Sequence, residues 1–312
     1  MKSITLHAPA TIANLVCGFD IIGMCLQEPY DVMTLEMQDQ PGLVIEHLDD
    51  FNLPLSPEKN VAGGALLALM KELSPSIGFK LIIDKKIMPG SGLGSSAASA
   101  TGAVMAANRL LGGPFSNEQL LQFAMCGEKI ASGVKHADNL APCLLGGVTL
   151  IRSIHPLDVI NIPAPELHIA VVHPQIEVKT SDARRILKKE VPLRSAIQQW
   201  GNIGGLIAGL MKGDHDLIGR SLEDVIIEPI RNILIPGFEE VKHRSLRAGA
   251  LGGGIAGSGP SIFMLCSNHV TANAVEQEMK SIYETIGVDA KTYVTQLDLT
   301  GIHIIEDGYE LL

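Results

Sequence analysis

The sequence predicts a mixed α/β (α+β) protein built from two lobes. The chain has 312 residues, which exceeds the roughly 100 to 200 residues of a single domain. Residues 1–50 alternate apolar and polar side chains in short pieces, as half-buried strands do. Further along, a strand-like stretch leads through a glycine-rich turn into an alanine-rich segment that is typical of a helix.

The composition excludes several classes of protein. Apolar residues make up 46% of the chain and aromatic residues only 4%, so aliphatic side chains must fill a large core and disorder is not expected. The net charge is -10 and no basic run is present, which argues against a nucleic-acid partner. Neither a signal peptide nor a run of about 18 apolar residues is found, so no membrane association is expected. Five cysteines without a C-x-x-C pair predict buried, reduced thiols and a cytoplasmic protein.

Local patterns predict the elements in order. Asn60 and Ser116 have the side chains that begin helices. The proline-containing stretch 155–165 is interpreted as a linker, which divides the chain into an N-terminal domain of residues 1–158 and a C-terminal domain of residues 159–312. The predicted elements are a strand at 30–36, a helix at 61–73, a strand at 79–83, helices at 97–111 and 117–131, strands at 148–151 and 167–172, helices from 195 onwards, a glycine-rich turn at 252–259 and a strand at 261–266.

The glycine-rich segment 90–96 has the composition of an anion-binding loop. Glycines and hydroxyls that lead into a helix leave several N–H groups for an anion, and the helix dipole favours negative charge there. The segment lacks the lysine of G-x-x-x-x-G-K-[ST], and Ser95 stands where G-x-G-x-x-G requires its last glycine. A turn that only packs a helix against a sheet would have a similar composition, so the loop alone leaves that alternative open.

Three segments together resemble the GHMP kinases, whose members bind galactose, homoserine, mevalonate or phosphomevalonate. Residues 89–99 (PGSGLGSSAAS) resemble the phosphate loop, residues 8–20 the first motif and residues 254–261 the third. The resemblance spans nearly the whole chain. It implies an N-terminal lobe with a ribosomal-protein-like, left-handed βαβ crossover, a ferredoxin-like C-terminal lobe, and ATP bound between them. The implied ATP-binding residues are Asn60, Pro89, Gly90, Ser91, Gly92, Leu93, Gly94, Ser95, Ser96, Ala97, Ala98 and Ser99.

Within this family the chain resembles the branch that phosphorylates homoserine. Sugar and mevalonate members carry a lysine in the first motif, and this chain has Pro9-Ala10-Thr11 instead. Residues 14–20, 127–128, 135–142 and 227–231 are similar to the homoserine branch. The resemblance therefore implies phosphorylation of the side-chain hydroxyl of L-homoserine, in threonine biosynthesis, with ATP and Mg²⁺. The implied substrate-binding residues are Asn14, Asp20, His136, Asp138, Asn139, Thr180, Arg184 and Arg231, and the implied metal ligands are Ser96 and Glu128.

The implied roles follow the charges of an amino acid. Arg184 and Arg231 would hold the carboxylate, because the guanidinium fork suits it, and Asp20 would hold the ammonium. Asp138 would be either a weak base or only an orienting group. Each of these residues, taken alone, could instead have a purely structural role, such as a surface ion pair. A kinase for another small alcohol and a silent binding protein on the same scaffold remain alternatives, and the sequence leaves a homodimer open.

Overall fold

The computed structural model describes residues 2–73, 77–133, 135–178 and 180–307, which form two sheets with helices. The strands are β1 (Ser3–Ala13), β2 (Ile22–Gln38), β3 (Gly42–His47), β4 (Gly78–Asp84), β5 (Val148–Ile154), β6 (Leu157–Ile162), β7 (His168–Pro174), β8 (Gly252–Ile255), β9 (Ile262–Cys266), β10 (Ala290–Gln296) and β11 (His303–Asp307). The helices are α1 (Val61–Met70), α2 (Ser95–Leu110), α3 (Asn117–Ser132), α4 (Leu140–Leu145), α5 (Thr180–Arg185), α6 (Leu193–Lys212), α7 (His215–Ser221), α8 (Glu228–Arg231), α9 (Phe238–Arg247) and α10 (His269–Ile286).

The first sheet carries the glycine loop. Its main path runs β11-β1-β2-β4-β3, and β5 pairs with β2 and with β6. β3 and β4 are parallel and α1 connects them, whereas β1, β2 and β4 pair antiparallel. The glycine loop follows β4 and leads into α2, which packs on β1 and β2 through small buried side chains. The alanine-rich sequence of α2 thus allows a close approach to the sheet.

The second sheet is antiparallel and runs β10-β7-β9-β8. Helices lie between β7 and β8 in the chain, and α10 lies between β9 and β10. This βαββαβ order gives a sheet order of 4-1-3-2, which is the ferredoxin-like arrangement. A separate apolar cluster joins this sheet to α9 and α10, including Phe238, Met264 and Tyr283. The two-lobed mixed fold predicted from the sequence is confirmed.

Both predicted helix caps are present. The Asn60 side-chain oxygen accepts a hydrogen bond from the Gly63 N–H at 3.1 Å, and Ser116 forms a capping box with Gln119 at the start of α3. Four of the five cysteines are buried and Cys126 is half-buried. Local sequence patterns suffice for these features because each depends on neighbours in the chain.

The predicted linker at 155–165 was wrong, because β6 occupies most of it and forms a hairpin with β5. The prolines lie outside the strand, at positions where the ladder needs no donor. The division at residue 158 stays a prediction: the position falls inside β6, and β11 returns to the first sheet beside β1. Residues 252–254, expected in a turn, belong to β8.

The glycine loop packs tightly against backbone from other parts of the chain. Gly92 has a positive φ of 86°, and a Cβ there would lie 2.4 Å from the Ala256 oxygen and 2.8 Å from the Gly259 oxygen. A Cβ on Gly94 would lie 2.0 Å from the Thr11 hydroxyl oxygen. Glycine is therefore required at both positions by protein packing, and the three motif segments of the sequence meet at this loop.

We predict that Gly92→Ala destabilises the fold more than Gly112→Ala. Gly112 also has a positive φ, of 82°, but a Cβ there meets nothing within 4 Å. Both variants carry backbone strain of about 1 kcal/mol, and only Gly92→Ala adds the collision, which should cost a further 1 to 3 kcal/mol or so. Urea unfolding of the two variants measures the difference. Equal losses would contradict the close contact.

Candidate active site

A cavity of about 300 Å³ lies where the three motif segments meet. The predicted site residues that line it are Asn14, Asp20, Asn60, Pro89, Gly90, Gly92, Gly94, Ser95, Ser96, Ser99, Glu128, His136, Asp138, Asn139, Arg184 and Arg231. Four predicted loop residues, Ser91, Leu93, Ala97 and Ala98, are buried behind this wall. The Thr180 side chain lies outside what the structure describes. The cavity has a loop end and a charged end.

At the loop end, the hydroxyls of the glycine loop have different tasks. The Ser95 hydroxyl donates to the Ile87 carbonyl at 2.8 Å and holds the loop to the strand before it. The Ser96 hydroxyl donates to the Glu128 carboxylate of α3 at 2.8 Å. Gly90 has a φ of 76° and open space at its Cβ position, so this backbone can approach an anion. The Ser96–Glu128 pair is a donor set of hard oxygens, which suits Mg²⁺.

Asn60 holds one wall of the loop end. Its oxygen caps α1, and its Nδ2 donates to the Pro54 carbonyl at 2.7 Å and lies 3.2 Å from His47 Nε2. The polar atoms of the Asn60 side chain are thus bonded within the protein. A nucleotide would contact Asn60 through the outer face of this side chain or through its backbone. His47 and Lys85 also line this end, and the sequence analysis missed both. The position of Lys85 in a Lys85-Lys86 pair directly after an apolar strand was the signal for it in the sequence.

At the charged end, the first motif forms a turn with an unusual backbone conformation. Asn14 and Asp20 have positive φ values of 77° and 63°. The Asn14 oxygen accepts from the Asp20 N–H at 3.0 Å, and its Nδ2 donates to the Gly257 carbonyl at 2.8 Å. An asparagine tolerates this left-handed conformation better than most residues. The Asn14 side chain thereby fixes Asp20 and ties the first motif to the third.

The Asp20 carboxylate is paired with one guanidinium group, and the charge of a second acts on the same end of the cavity. Arg184 Nη2 donates to both Asp20 oxygens, at 2.8 and 3.0 Å. Arg231 donates to the carbonyls of Ala183 and Gly257 at 3.0 and 3.2 Å, and both guanidinium groups lie over the Phe19 ring, at 5.5 and 5.0 Å from its centroid. Burial, together with the nearby Arg184 charge, lowers the pKa of Arg231 to about 10. Arg231 therefore stays cationic at neutral pH.

Three further predicted residues lie between the two ends. The Asn139 oxygen accepts from the Thr11 hydroxyl at 2.8 Å. His136 Nδ1 is 3.8 Å from an Asp20 oxygen, while its buried Nε2 has no hydrogen-bond partner in the described part of the chain. Burial lowers the pKa of His136. The neutral imidazole is thus favoured, and Nε2 is open to a polar group of a ligand.

Asp138 is the titratable group at the centre. Burial raises its pKa to about 7, and the charges of Asp20 and Glu128 add to the rise. Its carboxylate accepts a hydrogen bond from the Asn139 N–H at 3.2 Å, which offsets only a small part of this rise in the pKa. A carboxyl with a pKa near neutrality can accept a proton without being fully protonated beforehand, which is what a general base requires.

We predict that Asp138→Asn removes a pH dependence of stability. The folded state holds a proton on Asp138 up to a pH of about 7, whereas the unfolded chain releases it near 4. The folded state therefore binds more protons in this window, and the free energy of unfolding falls as pH rises. Asn resembles the protonated acid, so the variant should match the wild type near pH 4.

At pH 8 the same variant should be more stable than the wild type, by about 2 to 4 kcal/mol. Urea unfolding of both proteins between pH 4 and 8 measures this, and the other titrating groups cancel in the difference. A stability difference that does not change with pH would show that Asp138 has an ordinary pKa.

Comparison with known proteins identifies the family of the chain. Residues 60–147 match the family described as GHMP kinases N terminal domain, and residues 206–285 match GHMP kinases C terminal. The homoserine kinase of Chloroherpeton thalassium is 46% identical over 299 residues, covering 92% of this chain and 94% of that protein. The homoserine kinase of Methanocella arvoryzae is 39% identical over 310 residues, covering 99% and 100%.

Solved structures show the same fold. The crystal structure of homoserine kinase from Cytophaga hutchinsonii superposes with a TM-score of 0.94 at 46% identity, with 98% of both chains covered. L. major mevalonate kinase in complex with R-mevalonate gives a TM-score of 0.71 at 17% identity, with 93% and 94% covered, and shares the fold alone.

The chain therefore belongs to the GHMP kinases. Within them its full-length relatives place it among the homoserine kinases. ATP is accordingly the phosphoryl donor that the family implies. In the described ranges, none of the helices is both long and apolar enough to cross a bilayer.

Proposed function

We propose that the protein transfers the γ-phosphoryl group of ATP to the side-chain hydroxyl of L-homoserine and forms O-phospho-L-homoserine, a step of threonine biosynthesis. The observation that carries this is the charged end of the cavity, where Arg184 and Arg231 flank Asp20. Full-length relatives named homoserine kinase support the same reaction.

An α-amino acid has a carboxylate and an ammonium on one carbon, and the charged end offers groups of the opposite sign to each. The two arginines can bind the carboxylate through charge-assisted hydrogen bonds, and Asp20 can accept from the ammonium. When the amino acid binds, Arg184 and Asp20 would then lose part of the contact between them and form contacts to the zwitterion. The hydroxyl of homoserine would point towards Asp138, Asn139 and the loop end of the cavity.

The loop end would hold the triphosphate. Backbone N–H groups of the loop, next to the N-terminus of α2, would bind the phosphate oxygens. Mg²⁺, when bound by Ser96 and Glu128, would supply positive charge to the phosphates. The hydrogen bond between these two side chains is the observation that supports this metal site.

Asp138 would orient the hydroxyl and take up its proton when the bond to phosphorus forms. Its pKa of about 7 suits that task, because a much stronger acid would be a poor acceptor. Holding hydroxyl and phosphate in line in a cavity lined by both lobes would contribute a large part of the rate. Binding, orientation and one proton acceptor are thus assigned to residues of this chain.

The alternatives fit less well. A sugar has no carboxylate for the two arginines, and neither a sugar nor a mevalonate-like alcohol has an ammonium for Asp20. A silent binding protein would not need the Ser96–Glu128 pair beside the loop. A cytoplasmic location and a homodimer stay predictions from the sequence.

We predict that Arg231→Ala lowers kcat/KM for homoserine by about one to two decades, since a charge-assisted hydrogen bond contributes roughly 1.5 to 3 kcal/mol. The KM for ATP should barely change. Arg231→Lys should recover part of the loss, because a point charge replaces a planar fork. Steady-state kinetics with each substrate varied in turn measures these effects.

Arg185→Ala is the matched control, because Arg185 neighbours Arg184 but is exposed and pairs with Asp182 on the surface. Its kinetics should equal those of the wild type. Wild-type protein that phosphorylates other alcohols but not homoserine would refute the amino-acid assignment, as would an unchanged homoserine saturation curve in Arg231→Ala.

We predict that Glu128→Gln lowers kcat and raises the Mg²⁺ concentration needed for half-maximal activity, because an amide oxygen replaces a charged ligand. Magnesium titration at fixed ATP measures this. Glu118→Gln, an exposed change on the same helix, is the control. A Glu128→Gln titration that overlays the wild type would remove Glu128 from the metal site.

A further inference from the structure

A buried ammonium lies directly beneath the glycine loop. Lys85 follows β4 and is only 4% exposed. Its Nζ donates to Asp31 Oδ2 at 2.6 Å, to the Ser99 hydroxyl at 2.8 Å and to the Ser95 carbonyl at 3.1 Å. The three hydrogens of the ammonium are thus all used, and two of the three acceptors belong to the start of α2.

Its partner Asp31 holds the other end of the loop. Asp31 lies in β2 and is fully buried. Its second oxygen accepts the N–H groups of Lys86 and Ile87, at 2.8 and 2.9 Å. Residues 85–87 lead into the loop, and Ser95 and Ser99 follow it. The Asp31–Lys85 pair therefore fixes both ends of the loop to the sheet.

The pair also has a direction. Lys85 lines the active-site cavity, and Asp31 does not. The pair thus joins a residue of the cavity wall, Lys85, to a fully buried residue of the sheet, Asp31. In this chain Thr11 stands in the first motif, and its hydroxyl bonds to Asn139. The described lysines that line the cavity, Lys59 and Lys85, lie outside that motif.

The folding stability that a buried ion pair contributes does not by itself explain why Lys85 and Asp31 are paired here. Removing two charges from water costs several kcal/mol per ion, and an apolar pair of similar volume is often as stable. The network costs less here because each partner has further hydrogen bonds. An apolar pair could not form hydrogen bonds to the backbone. It therefore could not hold the two backbone segments on either side of the loop at fixed positions.

We propose that Lys85 is a positioning residue for phosphate binding: with Asp31 it fixes the two ends of the loop, so that the loop N–H groups and the Ser96 hydroxyl face the phosphates of the nucleotide. This rests on the proposed function, since it assumes that a nucleotide binds in the cavity. The role concerns the phosphate part of the nucleotide and leaves the nucleoside part and homoserine unaffected.

The test compares adenosine with ADP, which share the nucleoside and differ in the phosphates. Isothermal titration of Lys85→Met should show ADP binding weakened about tenfold or more, because the loop N–H groups are no longer held towards the phosphates, with adenosine binding unchanged. Lys86→Met is the control: its side chain is exposed and pairs with Asp84, and its backbone still donates to Asp31. Both affinities should stay at the wild-type value there.

A purely structural role would weaken adenosine and ADP together, and that result would overturn the proposal, as would unchanged ADP binding in Lys85→Met. The single variant leaves the Asp31 charge without its partner, so the double variant Asp31→Asn/Lys85→Met, which removes both charges, is measured in the same way. If the single variant does not fold, the affinities of the double variant decide between the two outcomes. Wild-type protein that binds neither adenosine nor ADP would refute the nucleotide site itself, and this inference with it.

Discussion

The site depends on a contact between backbones that a single Cβ would prevent. The loop at Gly92 lies against the carbonyls of residues 256 and 259, and this brings the three motif segments within hydrogen-bonding distance. Gly257 joins them: its carbonyl accepts from Asn14 and from Arg231, and its N–H donates to Ala13 at 3.3 Å. Residues about 240 positions apart in the chain thereby share one wall of the cavity.

The electrostatics of the cavity follow from this convergence. Acidic groups come from the first motif, from α3 and from the residues before α4. Cationic groups come from α5 and α8, from the segment that follows β4 and from Lys59 before α1. Burial raises the pKa of the Asp138 carboxyl, and the nearby Asp20 and Glu128 carboxylates add to the rise. The same crowding places guanidinium groups where they are balanced by Asp20 instead of by solvent.

Much of the secondary structure could be predicted from the sequence, because helix caps, apolar periodicity and glycine turns act over a few residues. The stretch around β6 could not, since prolines on both sides of a short edge strand look like a linker until its partner β5 is known. The family resemblance as a whole, with segments beyond the three motifs, was enough to name more than half of the residues that line the cavity, and their roles there stay predictions.

Other parts of the site needed the tertiary structure. The sequence analysis assigned the loop glycines to phosphate contact, but Gly92 and Gly94 are required by neighbouring protein atoms, and Gly90 is the open position. Asn60 looks like a ligand residue in the sequence, yet its side chain is occupied as a helix cap. Lys85 belongs to none of the three motifs, and its importance depends on Asp31, which lies 54 residues away in the chain.

The return of β11 to the first sheet has a consequence for synthesis. β1 pairs with β2 on one side and with β11 on the other, so one edge of the first sheet stays unpaired until residues 303–307 have left the ribosome. An unpaired edge is a template for pairing with other chains, and closing a loop of nearly the whole chain is slow. The nascent protein would thus carry this unpaired sheet edge until the end of its synthesis.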